Sequence, residues 1–322
     1  MALSINNKSD HAFNTAVLFL VFNRFDTTQQ VFKAIQKVKP PRLYIASDGA
    51  RSNKTSEALL VDGIRNYIHN NIDWDCDVKT LFRRENLGCK LAVSAAIDWF
   101  FDNEEEGIIL EDDCLPDLSF FRFCEEMLHK YSDDERIGMI SGDNFQHGRV
   151  RNSDSYYFSK YVHIWGWATW RDRWKVSYDV SIKKWPVIRG ESWLEDIVLN
   201  KEESKKWSEI FDLVYSKKID TWDYQWVFAN WIEGRLSVVP NVNLVCNIGF
   251  LRSDATHTKG YSPEANIPTR PISFPLKHPI LTVRNVIADL NEFHVSKTRS
   301  YFLKVFYRIK SLIRVRNNGR HF

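Results

Sequence analysis

The sequence is poor in the residues that build loops and covalent staples. Glycine (13) and proline (10) are scarce among 322 residues, which excludes collagen-like and linker-dominated architectures. The five cysteines, Cys76, Cys89, Cys114, Cys124 and Cys246, are odd in number and form no CxxC. They suggest neither a disulfide framework nor a zinc site, so the expected compartment is reducing and cytoplasmic. The N-terminus shows no basic segment followed by a long apolar stretch, so no signal peptide is expected. The longest early apolar run, Ala16 to Phe22, is too short to span a bilayer. No GxGxxG follows that run, and GxxxxGK[ST], GxSxG and HExxH are missing. Those absences weigh against dinucleotide, P-loop, serine-hydrolase and zinc-protease chemistry.

What is present is ordinary globular material. Hydrophobic residues make up 44% and charged residues 26%, which argues against disorder over most of the chain. The length exceeds a typical single domain, yet a large α/β unit reaches it. Aromatics reach 14%, with 12 Trp; such side chains suit sugar or base stacking, and equally a plain core. The formal net charge of +3 hides an asymmetry. From Val295 onward there are eight Lys or Arg and no acid, leaving about −5 for the rest. A near-neutral body with a basic tail is not the footprint of a nucleic-acid binder, and no nucleic-acid partner is expected.

Hydrophobic patterning predicts strand–helix alternation. Ala16–Phe22 reads as a buried parallel strand. Val31, Ile35 and Val38 follow at helical spacing, and Pro40-Pro41 stop that helix. Strands over 43–46, 78–82 and 107–110 alternate with helices around 59–68 and 91–101. Phe120, Phe121, Cys124, Leu128 and Tyr131 mark a further helix with Asp117 as its N-cap. Past Ser141 the pattern loosens, apart from a strand candidate at 236–239. The fold class implied is α/β: a mixed, mainly parallel sheet flanked by helices. Ligands in such sheets bind beyond the carboxyl ends of the strands. Asn23-Arg24, Asp48 and Glu111-Asp112-Asp113 all fall at such ends.

Three consecutive acids after a buried strand repel one another and are costly to desolvate. A divalent cation is the simplest compensation, because Mg²⁺ and Mn²⁺ favour carboxylate and phosphate oxygens. A solvated acidic turn ahead of the next helix is the bland alternative. Without a glycine-rich phosphate loop, a nucleoside diphosphate held mainly by metal fits best.

Phe22-Asn23-Arg24, Ser47-Asp48-Gly49, Asn86-Leu87-Gly88 and Leu110-Glu111-Asp112-Asp113 together resemble the nucleotide-sugar half of the GT-A, Rossmann-like glycosyltransferases. The likeness is to bacterial family-2-like enzymes and to N-acetylglucosaminyltransferase I. It continues through Ser141-Gly142-Asp143-Asn144, Trp165-Gly166-Trp167 and Trp222-Asp223 with Trp226, over roughly residues 15–260. The resemblance implies a GT-A domain over 1–270, with a donor half at about 15–140 and an acceptor half at about 141–270. A C-terminal extension occupies 271–322. It implies a metal-dependent, inverting transfer from a nucleotide-diphospho-sugar to a saccharide or lipid-linked saccharide in bacterial surface polysaccharide or glycoconjugate synthesis. Sugar-nucleotidyltransferase and non-catalytic carbohydrate-binding readings are the rivals.

The implied roles run residue by residue. Asp113 would ligate Mn²⁺ or Mg²⁺, supported by Asp112 and Glu111. Asp48 would accept from the nucleotide base, Arg24 would lie beside base or phosphate, and Arg84, with Arg83, would hold phosphate. Asp223 would be the base; it precedes Tyr224 where the family has a second Asp, so Asp220 and Asp143 stay open. His257, in a polar loop, is the candidate second metal ligand or diphosphate contact. Asp143, Asn144, Trp165, Gly166, Trp167 and Trp222 are the candidate acceptor contacts. Finally, Phe302, Val305, Phe306, Ile309, Leu312 and Ile313 repeat at helical spacing among Lys304, Arg308, Lys310 and Arg314. That pattern predicts a basic amphipathic helix placing the enzyme peripherally on the inner face of an anionic membrane.

Overall fold

The computed structural model describes residues 13–250, 252, 262 and 264–294. In chain order the first half runs β1 (Val17–Val21), α1 (Phe25–Val38), β2 (Arg42–Ser47), α2 (Glu57–Asn70), β3 (Asp77–Phe82), α3 (Gly88–Asn103), β4 (Glu106–Glu111), β5 (Cys114–Pro116), α4 (Leu118–Tyr131) and β6 (Ile137–Ser141). The second half runs β7 (Tyr156–Ser159), β8 (Trp167–Trp170), α5 (Arg171–Ser177), α6 (Trp185–Ile188), α7 (Trp193–Val198), α8 (Lys201–Tyr215), α9 (Asp223–Ile232), β9 (Leu236–Pro240) and β10 (Val245–Asn247). Eight strands form one sheet in the order β3-β2-β1-β4-β8-β6-β9-β7, and β10 pairs with β5 in a second, two-stranded one.

The apolar runs follow from burial on both faces. Along β1, Val17, Phe19 and Val21 enter one core with α1, α2 and α4. Ala16, Leu18 and Leu20 enter another with α3. A strand with alternate side chains in two cores needs apolar residues at every position. Asp117 caps α4 as expected, accepting from Ser119 N at 2.9 Å. The four strands β3, β2, β1 and β4 are parallel neighbours, so Arg83, Asp48, Arg24 and Asp112 leave the sheet at one edge.

Beyond Ser141 the sequence pattern loosens for a topological reason. β8 inserts antiparallel between β4 and β6, so strands far apart in sequence become neighbours. The antiparallel insertion brings the start of β8, Trp165-Gly166-Trp167, to the edge where β4 ends. Trp167 then packs inward. Its ring stacks on Trp222 at 5.7 Å and meets Trp174 and Trp226 at 6.2 and 5.8 Å. A separate aromatic cluster, including Trp185, Phe211, Phe228 and Trp231, unites α6 to α9.

The segment after residue 270 packs on the body. Ile272 and Leu276 join the first core, and Ala288, within a helical stretch over 286–294, packs with Tyr157 and Val239. The stripe at 302–313 and His257 lie outside the described residues. All five cysteines are free. Among the described residues, no helix is long and apolar enough to cross a membrane.

Because Trp167 has no exposed surface, Trp167→Ala removes a core side chain with nothing to fill its place. Equilibrium urea unfolding is expected to show a loss of about 3–5 kcal/mol.

Candidate active site

A cavity of about 580 Å³ opens at the carboxyl edge of β1, β2 and β4. Its walls come from both halves of the chain: Arg24, Asp48, Arg83 and the acidic triplet from one, Trp165, Asp220 and Asp223 from the other. Parallel strand direction explains the convergence, since each strand releases its first loop residues at the same edge.

The acidic triplet is the electrostatic centre. Asp112 and Asp113 are each 7% exposed, while Glu111 keeps a partly open face toward the cavity. Burial, then the neighbouring Asp113 charge, pushes the Glu111 and Asp112 carboxyls well above the usual carboxylate range. Arg24 meets this corner, with Nη1 at 2.5 Å from Asp113 Oδ2 and 3.8 Å from Asp112 Oδ1, and the Arg252 charge also acts on Asp112. Asp112 Oδ2 also accepts from Phe22 N at 3.1 Å, which ties the end of β4 to the exit of β1. Gly249 matters here: a Cβ at that position would lie 2.1 Å from Asp113 Oδ2. Only glycine lets the backbone after β10 pass so close to the carboxylate.

The donor set fits a divalent ion of the kind that takes one or two protein carboxylates and completes its shell with substrate phosphate and water. The Glu111 and Asp112 carboxyls stay raised although Arg24, and at Asp112 also Arg252, act against it, and that is the observation favouring the fit. Among the described residues, no group of three or more His, Cys, Asp or Glu side chains is placed to hold a metal ion by itself.

Asp48 lines the cavity and is engaged locally through both carboxylate oxygens. Its Oδ1 accepts from Gly49 N and Leu87 N, both at 3.0 Å. Oδ2 accepts from Asn86 Nδ2 at 2.9 Å and Gly88 N at 3.1 Å. Both oxygens are thus used to anchor the start of α3, whose own N-cap, Leu87, has no capping side chain. Burial raises the Asp48 pKa against those donors. Asp220 adds a second anchor, accepting from Lys90 N at 3.2 Å. Asp223 is less committed. Its Oδ1 accepts from Thr221 Oγ1 and from Tyr224 N, and neither contact uses Oδ2.

Several expected acceptor contacts prove to be braces or core. Asp143 has no exposed surface; its Oδ2 accepts from Trp165 N at 3.0 Å, and it does not line the cavity. Burial drives its carboxyl well above the usual range. Asn144 donates to Pro240 O at 2.6 Å and is likewise away from the cavity wall. Gly166, at φ +80°, would put a Cβ 2.8 Å from Val245 Cγ2, so tight packing accounts for it rather than sugar approach. Trp167 is core. Trp222 reaches the cavity wall but is only 2% exposed. Trp165 alone of that group keeps a half-buried ring on the wall, edge-on to Phe250 at 5.3 Å. Arg84 points away and is exposed, while its neighbour Arg83 lines the cavity.

Two features escaped the sequence reading. Arg51 lines the cavity and is locked by Glu57, whose carboxyl Arg51 holds down at about 2. Asn23 Nδ2 donates to the same Glu57 at 2.8 Å. Cys89 sits among Glu111, Asp223, Asp220 and Asp113; burial, then those charges, pushes its thiol far up. A helix-starting Glu six residues after an Arg was the only signal for the first, and nothing local marked the second.

No protein-family model matches the chain, and no curated protein matches it. Among solved structures, HddC from Yersinia pseudotuberculosis is similar over 49% of this chain and 77% of its own, at 11% identity and a TM-score of 0.31. HddC complexed with GMP-PN gives 9% identity and a TM-score of 0.30 over the same shares. UDP-glucose pyrophosphorylase complexed with UDP-glucose is similar over 45% of this chain and 62% of its own, at 12% identity and a TM-score of 0.24.

If Asp48 anchors α3, Asp48→Ala strands backbone N–H groups that a charged acceptor now satisfies. Chemical unfolding is expected to show a loss of about 2–3 kcal/mol, with Asp48→Asn recovering part of it. Unchanged stability in the alanine variant contradicts the anchoring role.

Proposed function

We propose that the chain is an inverting GT-A glycosyltransferase that moves a sugar from a nucleotide-diphospho-sugar to an acceptor hydroxyl. The observation that carries this reading is the meeting of the acidic triplet and Asp223 in one cavity. Glu111 feels the Asp223 charge, so the anionic corner and the candidate base face the same space. The resemblance of the motifs adds the family and points to bacterial surface polysaccharide or glycoconjugate as the product.

The geometry supports the roles that the resemblance implies. Asp113, with Asp112 behind it, would hold Mn²⁺ or Mg²⁺. When bound, the ion supplies Lewis-acid stabilisation of the charge that develops on a departing diphosphate. Arg24 already lies against Asp112 and Asp113, where it would neutralise carboxylate and phosphate oxygens together. Arg83 is a second cation on the wall, suited to the same diphosphate. Phe22, Ala46 and Leu81 add an apolar stretch of wall against which a base would lie. Asp223, with Oδ2 unused by its two local contacts, would take the proton of the attacking hydroxyl. A single displacement inverts the anomeric carbon. Trp165 offers the ring for an acceptor or donor sugar.

A nucleotidyltransferase would place a glycine-rich basic loop after β1; here Asn23-Arg24-Phe25-Asp26 opens α1 instead. The discriminating measurement is product analysis. UDP-, GDP- and dTDP-sugars are first screened for Mn²⁺-dependent thermal stabilisation, and the stabilising donor is then incubated with saccharide acceptors. Nucleoside diphosphate release is expected. Pyrophosphate formation or consumption would identify the rival reaction, and no donor stabilisation at all would favour a binding subunit.

Two substitutions test the assignments. Asp113→Ala is expected to abolish turnover and metal-dependent donor stabilisation while the protein stays folded. Asp223→Asn is expected to keep donor stabilisation and lose transfer by at least about 10²-fold. Persisting transfer in that variant, with loss in Asp220→Asn, would move the base to Asp220.

A further inference from the structure

Arg51, in the loop between β2 and α2, is a cation of the cavity wall whose partner is Glu57 rather than the acidic triplet. Its side chain is held with little freedom. Nε donates to Glu57 Oε2 at 2.9 Å and to Oε1 at 3.1 Å, and Nη2 donates to Oε1. Arg51 N donates to Oε2 at 2.8 Å, so one carboxylate pins both backbone and side chain. Glu57, 3% exposed, is fixed in turn by Asn23 Nδ2 at 2.8 Å. The guanidinium also lies over the Phe22 ring, with Cζ 5.3 Å from its centroid.

That pairing uses one side of the guanidinium. No described residue accepts from Nη1. The end formed by Nη1 and Nη2 presents parallel donors and no acceptor. Phe22 defines where on the wall this end stands. Its ring is beside Arg51, and two residues later Arg24 lies against Asp113. A nucleotide whose diphosphate meets Arg24 and the acidic corner would therefore bring its base to Phe22 and Arg51.

We propose that Arg51, positioned by Glu57, selects the nucleobase, and that it selects bases with a carbonyl, as in uracil, thymine and guanine, at the ring position where cytosine and adenine carry an amino group. A guanidinium only donates. The carbonyl accepts from it, whereas the amino group sets donor against donor. A donor held in place discriminates better than a mobile one, which swings to another partner. The Arg51 side chain is 30% exposed, so solvent blunts the penalty. The expected preference is about tenfold, below the roughly 10⁴-fold of a closed polar site. The inference rests on the nucleotide-sugar reading for the kind of ligand and not for the transfer step.

The test is calorimetric titration of the full chain with UDP, CDP, GDP and ADP in the presence of Mn²⁺. UDP is expected to bind about tenfold tighter than CDP, or GDP than ADP. In Arg51→Met that ratio is expected to fall to within about twofold. Because this variant leaves the buried Glu57 charge without its main partner, the Arg51→Met, Glu57→Gln double variant is judged by the same ratio, with its thermal midpoint checked against the parent. Glu57→Gln alone keeps the guanidinium but loosens it, and an intermediate ratio is expected; a parent-like ratio there overturns the positioning role of Glu57. Discrimination that survives in both Arg51 variants belongs to another wall residue, Asp48 among them, and overturns the proposal. An equal loss for all four nucleotides would place Arg51 on the diphosphate and overturns it too, as does a parent that binds none of the four or shows no preference within either pair. Failure of the glycosyl-transfer reading is read separately, from product analysis: the expected binding ratio without sugar transfer refutes that reading and leaves base selection standing.

Discussion

Three carboxylates in a row at the end of a buried strand are the constraint around which the rest is arranged. Desolvation and mutual repulsion raise the cost of keeping Glu111, Asp112 and Asp113 ionised together. Several distant features answer that cost. Arg24, delivered by the exit of β1, lies against Asp112 and Asp113. The backbone N–H of Phe22 satisfies Asp112. Gly249 has no side chain, so the backbone beyond β10 can close over Asp113. Each contact crosses between elements far apart in sequence, so the acidic corner also stitches β1, β4 and β10 together.

Negative charge is used differently a few ångströms away. Asp48 and Asp220 face the start of α3, where unpaired N–H groups and the helix dipole welcome anions. Both oxygens of Asp48 accept there, from Leu87 N and Gly88 N among others, while Asp220 accepts from Lys90 N through one oxygen. Asp223 sits at the start of α9 but engages only through one oxygen. Six carboxylates on one cavity wall therefore divide into a corner of three consecutive acids, Asp48 with both oxygens engaged, and Asp220 and Asp223, each engaged through one oxygen.

The parallel half of the fold was legible because each signal there was local. β1, β2 and β4 are buried on both faces and read as apolar runs, and the acids directly after them fall where strand ends must lie. The second half was less legible because β8 runs antiparallel between β4 and β6, a pairing no window of sequence contains. The aromatic motifs show the same limit. Trp165-Gly166-Trp167 is visible as a motif, yet which ring faces the cavity depends on the turn at Gly166, at φ +80°, just ahead of β8. Past that turn Trp167 packs into the core beside Trp174, while Trp165, ahead of it, stays on the wall. Asp48 was found by its position, but its contacts with the start of α3 were not legible, since those partners arrive from thirty-eight to forty residues downstream.

The back of the cavity is braced by polar contacts that reach the far side of the molecule. Trp165 N is held by Asp143, which lies beside His163. His163 Nε2 in turn meets Glu292 at 3.2 Å, in the helical stretch over 286–294. Asp289 and Arg284 fasten that same stretch to β7 through Ser159 and Phe158. Buried charges of this kind contribute little net stability when replaced by apolar groups of the same shape, yet they are costly to leave unpaired. Their effect is to admit one arrangement: a shift of the 284–292 segment would strand Asp289, Glu292 and His163 at once. The wall at Trp165 and the 284–292 segment are therefore fixed by one connected set of contacts.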